Sequence, residues 1–260
     1  MNYNTLTLER EGEVAVITLN RPDKRNAIST QMIEDLLGAL DEVAAAPARL
    51  AILTASGKAF CSGMDLEGLR GIAAQSAAQN LEDSQRMAKM FYRLYTFPKP
   101  IITAVNGAAI AGGCGIATLA DFTLAVPEAK FGYTEVKIGF IPALVSVFLR
   151  RQIGEKSARD LALSGRIISA AEAHRMGLVT EVVEPEKLAA RSREVAGILL
   201  AASPTSVART KALFVKLDDE ALRRELEIAI RENADIRATA DFHEGLSSFL
   251  EKREPKWTGQ

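Results

Sequence analysis

Residues 106–121 read NGAAIAGGCGIATLAD, and they follow the apolar run PIITAV (100–105). The run is a buried strand in pattern, and the next helix starts near Gly112 and Gly113. Glycine at such a junction lets the backbone approach a ligand closely and adopt a positive φ. Upstream, CSGMDL (61–66) forms a second glycine turn, behind the short apolar strand RLAILTA (49–55). Downstream, FGYTEVKIG (131–139) carries a single carboxylate, Glu135. Together the two turns read as the halves of an oxyanion hole, in which backbone N–H groups receive a negatively charged oxygen. A thioester carbonyl gathers that charge when a proton leaves its α carbon, or when a nucleophile adds to the β carbon of its enoyl form. Losing one such donor costs roughly 3 kcal/mol in known cases. The pattern is not a nucleotide fingerprint: no G-x-G-x-x-G opens a first βαβ unit, and G-x-x-x-x-G-K-[ST] is absent.

Outward from these turns the chain alternates strand, turn and helix, which predicts an α/β core. TLTLERE and EVAVITLN read as a hairpin turning near Glu11 and Gly12. Ile28, Met32, Ile33, Leu36, Leu37, Leu40 and Val43 recur at helical spacing over about 29–43. Residues from about 69 to 96 read as a polar lid leading into a helix that contains Met87, Met90, Phe91 and Leu94. TEVKIGFIPA reads as short strand and loop, on which Glu135 and Lys137 share a side. Helices are expected over 144–153 and 156–164. Ser169 to Glu172 has capping-box form, with Gly177 as a stop, and Ser203-Pro204 starts a further helix. The division expected is a core over 1–200 and a C-terminal helical region over 201–260, both part of one functional unit.

The 260 residues suffice for one large domain. Thirty-two Lys and Arg stand against 33 Asp and Glu, so the overall charge offers no attraction to nucleic acid. There is no apolar run of transmembrane length, and the polar start MNYNTLTLEREG does not read as a signal peptide. Two cysteines, Cys61 and Cys114, and two distant histidines, His174 and His243, show no metal-ligand spacing. The expectation is a cytoplasmic, reduced protein with no metal and no membrane or nucleic-acid partner.

Taken with TLNRPDKRNAIS (18–29), GKAFCSGMDL (57–66), AKFGYTEVKIG (129–139), SGRIISAAEAHRMGLVTEVV (164–183) and FLEKREPKW (249–257), the opening stretch resembles the enoyl-CoA hydratase/isomerase, or crotonase, superfamily. The resemblance spans about Val14 to Trp257. It implies a spiral of ββα units with C-terminal helices for oligomerisation, a homotrimer or homohexamer, and an acyl-CoA substrate in fatty acid metabolism. Coenzyme A is then part of the thioester substrate, with no tightly bound cofactor. The oxyanion amides carry over to Met64 and Gly112. The backbone near Lys24, Arg25 and Ala27 would line the CoA nucleotide, with Lys58 a further cation for its phosphates. Phe249 and Lys252 would meet CoA from the C-terminal helix.

The chain departs from the hydratase pattern at one decisive place. Family hydratases carry two glutamates, one in a GGGCE pattern and one in FGxPE. Here the first position is Gly115 and the second is Glu135. A glycine there makes room for a branched or bulky acyl group, but it holds no water. IPALVSVFLRR (141–151) also replaces a PGxGGTQRL pattern, giving a more apolar floor. Tyr133, Ile138 and Pro142, with Gly115, are the expected pocket residues. Glu67, Glu82 and Asp83 lie in or near the lid, with solvated surface as their default. Asp65 is expected to brace its turn by accepting backbone N–H bonds. The leading expectation is hydration of a 2-enoyl-CoA through an oxyanion-stabilised enolate. The alternatives are Δ3-Δ2 enoyl-CoA isomerisation with Glu135 as sole base, another CoA-thioester hydrolase or lyase, and a non-catalytic acyl-CoA-binding protein.

Overall fold

The computed structural model describes residues 3–72 and 74–260, with the side chains of residues 66 and 67 outside the description. The chain runs β1 Leu6–Glu11, β2 Val14–Leu19, α1 Thr30–Ala45, β3 Leu50–Ala55, β4 Ala59–Cys61, α2 Leu66–Ile72, α3 Ala77–Tyr95, β5 Ile101–Val105 and β6 Ala108–Ile110. It continues with α4 Gly112–Thr118, β7 Phe122–Ala125, β8 Lys130–Gly132, α5 Ala143–Ser164, β9 Ile168–Ser169, α6 Ala170–Arg175, β10 Glu181–Val182, α7 Leu188–Ala201, α8 Pro204–Asp235 and α9 Ala240–Glu251. Among the described residues, no helix is long and apolar enough to cross a membrane.

Two sheets organise these elements. The larger has the order β1-β2-β3-β5-β7-β10; the smaller has β4-β6-β8-β9. Among the described residues, only the β1–β2 hairpin and the β8–β9 pair are antiparallel. The central strands, β3 and β5, are buried along almost their whole length, as parallel strands covered on both faces should be. Helix α1 lays Met32, Ile33, Leu36, Leu40 and Val43 into the core, and the Ser29 side chain caps it by accepting the Met32 N–H.

Local sequence signals account for the boundaries. Ser76 and Gln79 form a full capping box at the start of α3. Ser203 and Pro204 open α8 as expected. Ser169 caps α6 by accepting the Glu172 N–H, while the Glu172 carboxylate pairs with Arg166. The split expected within α5 occurs at Gly154, whose φ of +75° breaks an otherwise continuous helix. One expectation is corrected. Glu135–Ile138 is a 3-10 turn, not an extended segment. Glu135 therefore points inward while Lys137 is exposed, and the two do not share a side.

Candidate active site

The small sheet builds the site. Strands β4, β6 and β8 are parallel neighbours, with Cys61 opposite Ala109 and Ala109 opposite Phe131. Their C-terminal ends lie at one edge, where ligands of parallel sheets bind. Strand β4 runs into the turn holding Met64, β6 into the turn holding Gly112, and β8 into Glu135. Three segments far apart in sequence thus converge because of strand order alone.

Close backbone contacts lock the two glycine turns together. A Cβ on Gly113 would stand 2.4 Å from the Cys61 carbonyl oxygen, so only glycine fits. Gly63, at φ +89°, packs its Cα face on Ala111; a Cβ there would lie 3.2 Å from the Ala111 methyl. Ala111 itself has φ +51° and ψ −128°, a costly conformation for a residue with a Cβ, directly before Gly112. Met64 forms a parallel bridge with Ile28. The Ile28 N–H donates to the Gly63 carbonyl, and the Asp65 N–H donates to the Ile28 carbonyl. In that pattern the Met64 N–H faces away from Ile28. Among the described residues, neither the Met64 nor the Gly112 amide donates to a protein acceptor.

Met64, Gly112 and Glu135 line one cavity of about 620 Å³. Glu135 is 9% exposed, and its Oε2 has no hydrogen-bond partner in the protein. Burial raises its pKa from 4.5 to about 7, against a smaller opposing effect of its own backbone N–H. The carboxyl is therefore close to half ionised near neutrality, the condition for moving protons in both directions.

Of the other expected residues, Ile138 and Pro142 line the same cavity, while Lys24, Arg25 and Ala27 lie along its wall with Asp23 and Arg70. Phe249, 49% exposed, reaches it from α9 of the same chain. Lys58 and Lys252 are exposed and are not among the lining residues.

Gly115 and Tyr133 also lie off the cavity surface, which corrects the expectation that Gly115 makes room. A Cβ at Gly115 would stand 2.7 Å from Val145 Cγ1 and 3.1 Å from a Phe91 ring carbon. Val145 and Phe91 have filled the space. Tyr133 is 1% exposed, with its hydroxyl 3.3 Å from Thr118 Oγ1.

The Asp65 carboxylate receives the Arg21 guanidinium at 2.8 Å, and Arg21 also donates to the Ala27 carbonyl, which ties the turn to the segment before α1. Glu82 is exposed beside Arg86. Asp83 is not solvated surface: it pairs with Arg237, which is 3% exposed and lines the cavity. The Glu67 side chain lies outside the described residues. Asn233 and Arg237 were not expected at the site. Their spacing of four, on one helical face, is the only signal the sequence offers, and it is a common one.

The α9 helix packs against the turn that carries Glu135. Gly139 and Gly245 permit backbone contact there: a Cβ on Gly245 would meet the Ile138 carbonyl oxygen at 2.4 Å, and one on Gly139 would meet that of Asp241 at 2.2 Å. Phe140 and Phe242 pack beside them with ring centroids 5.4 Å apart.

The enoyl-CoA hydratase/isomerase family profile matches residues 9–260. A Thermus thermophilus protein named, without firm assignment, an enoyl-CoA hydratase is 43% identical over 95% of this chain and 98% of its own. A crotonyl-CoA hydratase of Syntrophomonas wolfei is 35% identical over 98% of each chain. The crystal structure of an enoyl-CoA hydratase/isomerase from Xanthobacter autotrophicus Py2 superposes with a TM-score of 0.89 at 29% identity, covering 96% of this chain and 94% of that one. The crotonase-like fold is thereby shown, and the chain belongs to the enoyl-CoA hydratase/isomerase family.

Proposed function

We propose that this protein hydrates a 2-enoyl-CoA thioester, with the Met64 and Gly112 amides holding the thioester oxygen and Glu135 moving the proton. The observation that carries the reading is the convergence of two undonated amides and one buried carboxyl, of pKa about 7, in a single cavity. The naming of full-length relatives as enoyl-CoA hydratases supports water as the second reactant.

One carboxyl suffices for the proton balance. The Glu135 carboxylate takes a proton from water as the water oxygen bonds to Cβ. The electron pair of the double bond moves to the thioester oxygen, held by the two amides. The enolate then collapses as Glu135 returns the proton to Cα, and the carboxylate is regenerated. Coenzyme A enters as part of the substrate, with no resident cofactor. Lys24 and Arg25 supply positive charge along the cavity wall for its phosphates, and Phe249 offers a ring to its nucleotide. The same reading places the protein in the cytoplasm, in fatty acid metabolism, and in a homotrimer or homohexamer. Exposed Phe214 and Leu217 on α8, at 70% and 74%, support an assembly that covers them.

A second reading is favoured by one observation. The place of the second glutamate is filled by Val145 and Phe91, and water has no second carboxyl to hold it there. Glu135 alone removes a proton from the α carbon of a 3-enoyl-CoA and returns it to the γ carbon, which isomerises the double bond. Incubation with a 2-enoyl-CoA and a 3-enoyl-CoA, followed by chromatographic separation, decides between them. A 3-hydroxyacyl-CoA from the 2-enoyl substrate supports hydration. Conversion of the 3-enoyl to the 2-enoyl form without hydration refutes it in favour of isomerisation. Release of free CoA refutes both.

A further inference from the structure

We infer that the closed end of the cavity is a polar subsite for an uncharged oxygen acceptor, a keto or hydroxyl group, on the distal part of the acyl chain. The inference rests on the enoyl-thioester reading and names the substrate class within it.

The subsite is built by α3, the end of α8 and the turn after it. Asn233 and Arg237 both line the cavity and are 5% and 3% exposed. Lys24, Arg25 and Phe249 are exposed, so the cavity opens on their side and closes at Asn233. Each of the three Arg237 nitrogens is engaged within the protein. Its Nε donates to the Asn233 carbonyl. One terminal nitrogen serves Asn80 and Asp83, and the other serves Ser84 and the Asn233 Oδ1. The arginine is thus a clamp with its charge matched by Asp83, leaving little call for an anionic ligand.

Asn233 is different. Its Oδ1 receives the Ser84 hydroxyl at 2.8 Å and Arg237 at 3.0 Å, which fixes the orientation of the amide. The Nδ2 end makes no hydrogen bond among the described residues. Once a substrate fills the cavity and excludes water, a donor left without an acceptor is costly, and the lining also includes the apolar Met87, Leu69, Ile72, Phe140 and Phe242. An alkyl tail would leave that donor unpaired; a tail bearing an oxygen would pair it.

Helix α3 gives the distance. Phe91 lies against Gly112, with its Cζ 3.7 Å from where a Cβ would stand. Ser84 precedes it by seven residues, about 10 Å along the helix axis. An extended acyl chain of about eight carbons, with bonds of about 1.5 Å in a zigzag, covers that span.

The test compares initial rates of the purified protein on 2-butenoyl-CoA, 2-octenoyl-CoA and 7-oxo-2-octenoyl-CoA. The oxo substrate is expected to exceed 2-octenoyl-CoA by about 3- to 10-fold in kcat/KM, the worth of one neutral hydrogen bond. Asn233→Asp keeps the oxygen that receives Ser84 and Arg237 but replaces the free donor with an acceptor. In that variant the preference is expected to fall below one. Equal or better use of 2-octenoyl-CoA by the unaltered protein overturns the subsite without recourse to any variant. A preference that survives Asn233→Asp overturns the role of Asn233. Failure to bind or turn over any of the three overturns the enoyl-thioester reading, and the subsite with it.

Discussion

Glu135 couples chemistry and stability in opposite senses. Burial raises its pKa to about 7 in the folded protein, from the ordinary glutamate value of 4.5. The folded state therefore binds more protons than the unfolded state between those values. Stability falls as pH rises through that window, by on the order of 3 kcal/mol in total. Glu135→Gln removes the buried charge, so at pH 8 the variant should unfold at higher urea than the parent, while at pH 4 the gain should vanish. Its turnover should drop by about 10²–10⁴-fold. A variant that is no more stable at pH 8 would show that the carboxyl is solvated. For the same reason kcat/KM should decline below pH 7 as the base takes up its proton. At Gly115 the filled space sets a different expectation. Gly115→Glu should not restore a second carboxyl to the cavity, because its Cβ would meet Val145 at 2.7 Å. Overpacking and a buried charge should cost about 3 kcal/mol or more, measured by denaturant titration.

Among the elements, the contact between α9 and the 3-10 turn that carries Glu135 is the most sensitive. Gly245→Ala would place a methyl 2.4 Å from the Ile138 carbonyl oxygen, so one backbone must move. The expected cost is about 1–3 kcal/mol, with a fall in kcat larger than any change in KM, because the displaced turn carries Glu135. An unchanged kcat would show that the turn holds its place without α9. This contact was not legible in the sequence. Gly139 and Gly245 are more than a hundred positions apart, and nothing local pairs them. The glycine turns at 63 and 112–113 were legible because each sits at the end of an apolar strand. The 3-10 turn was misread as extended because TEVKIG alternates polar and apolar residues over too few positions to separate period 2 from a tight helical turn. The lid acid Asp83 was misread because its partner, Arg237, lies on a distant helix.

At the scale of the whole molecule, the strands and several helix starts followed from apolar runs and caps, whereas the order of the strands in the two sheets and the closed end of the cavity depended on long-range packing, the latter of α3 against α8. The exposed apolar residues of α8 belong to this scale too. Replacing Phe214 and Leu217 together with Asp should shift the protein to a smaller species in sedimentation; an unchanged species would place the assembly surface elsewhere. The delivery of Met64, Gly112 and Glu135 by three parallel strands has a consequence for how the chain tolerates length. The edge of the small sheet where those strands end is committed to fixed positions, and the opposite edge is not. An added residue between the half-buried Pro127 and the exposed Glu128, in the turn ahead of β8, should leave the register of Phe131 with Ala109 intact. An added residue between Tyr133 and Thr134 shifts the carboxyl away from the Met64 and Gly112 amides. Insertions should thus be silent on one side of this sheet and lethal to turnover on the other, so that drift in chain length is channelled to the face away from the chemistry.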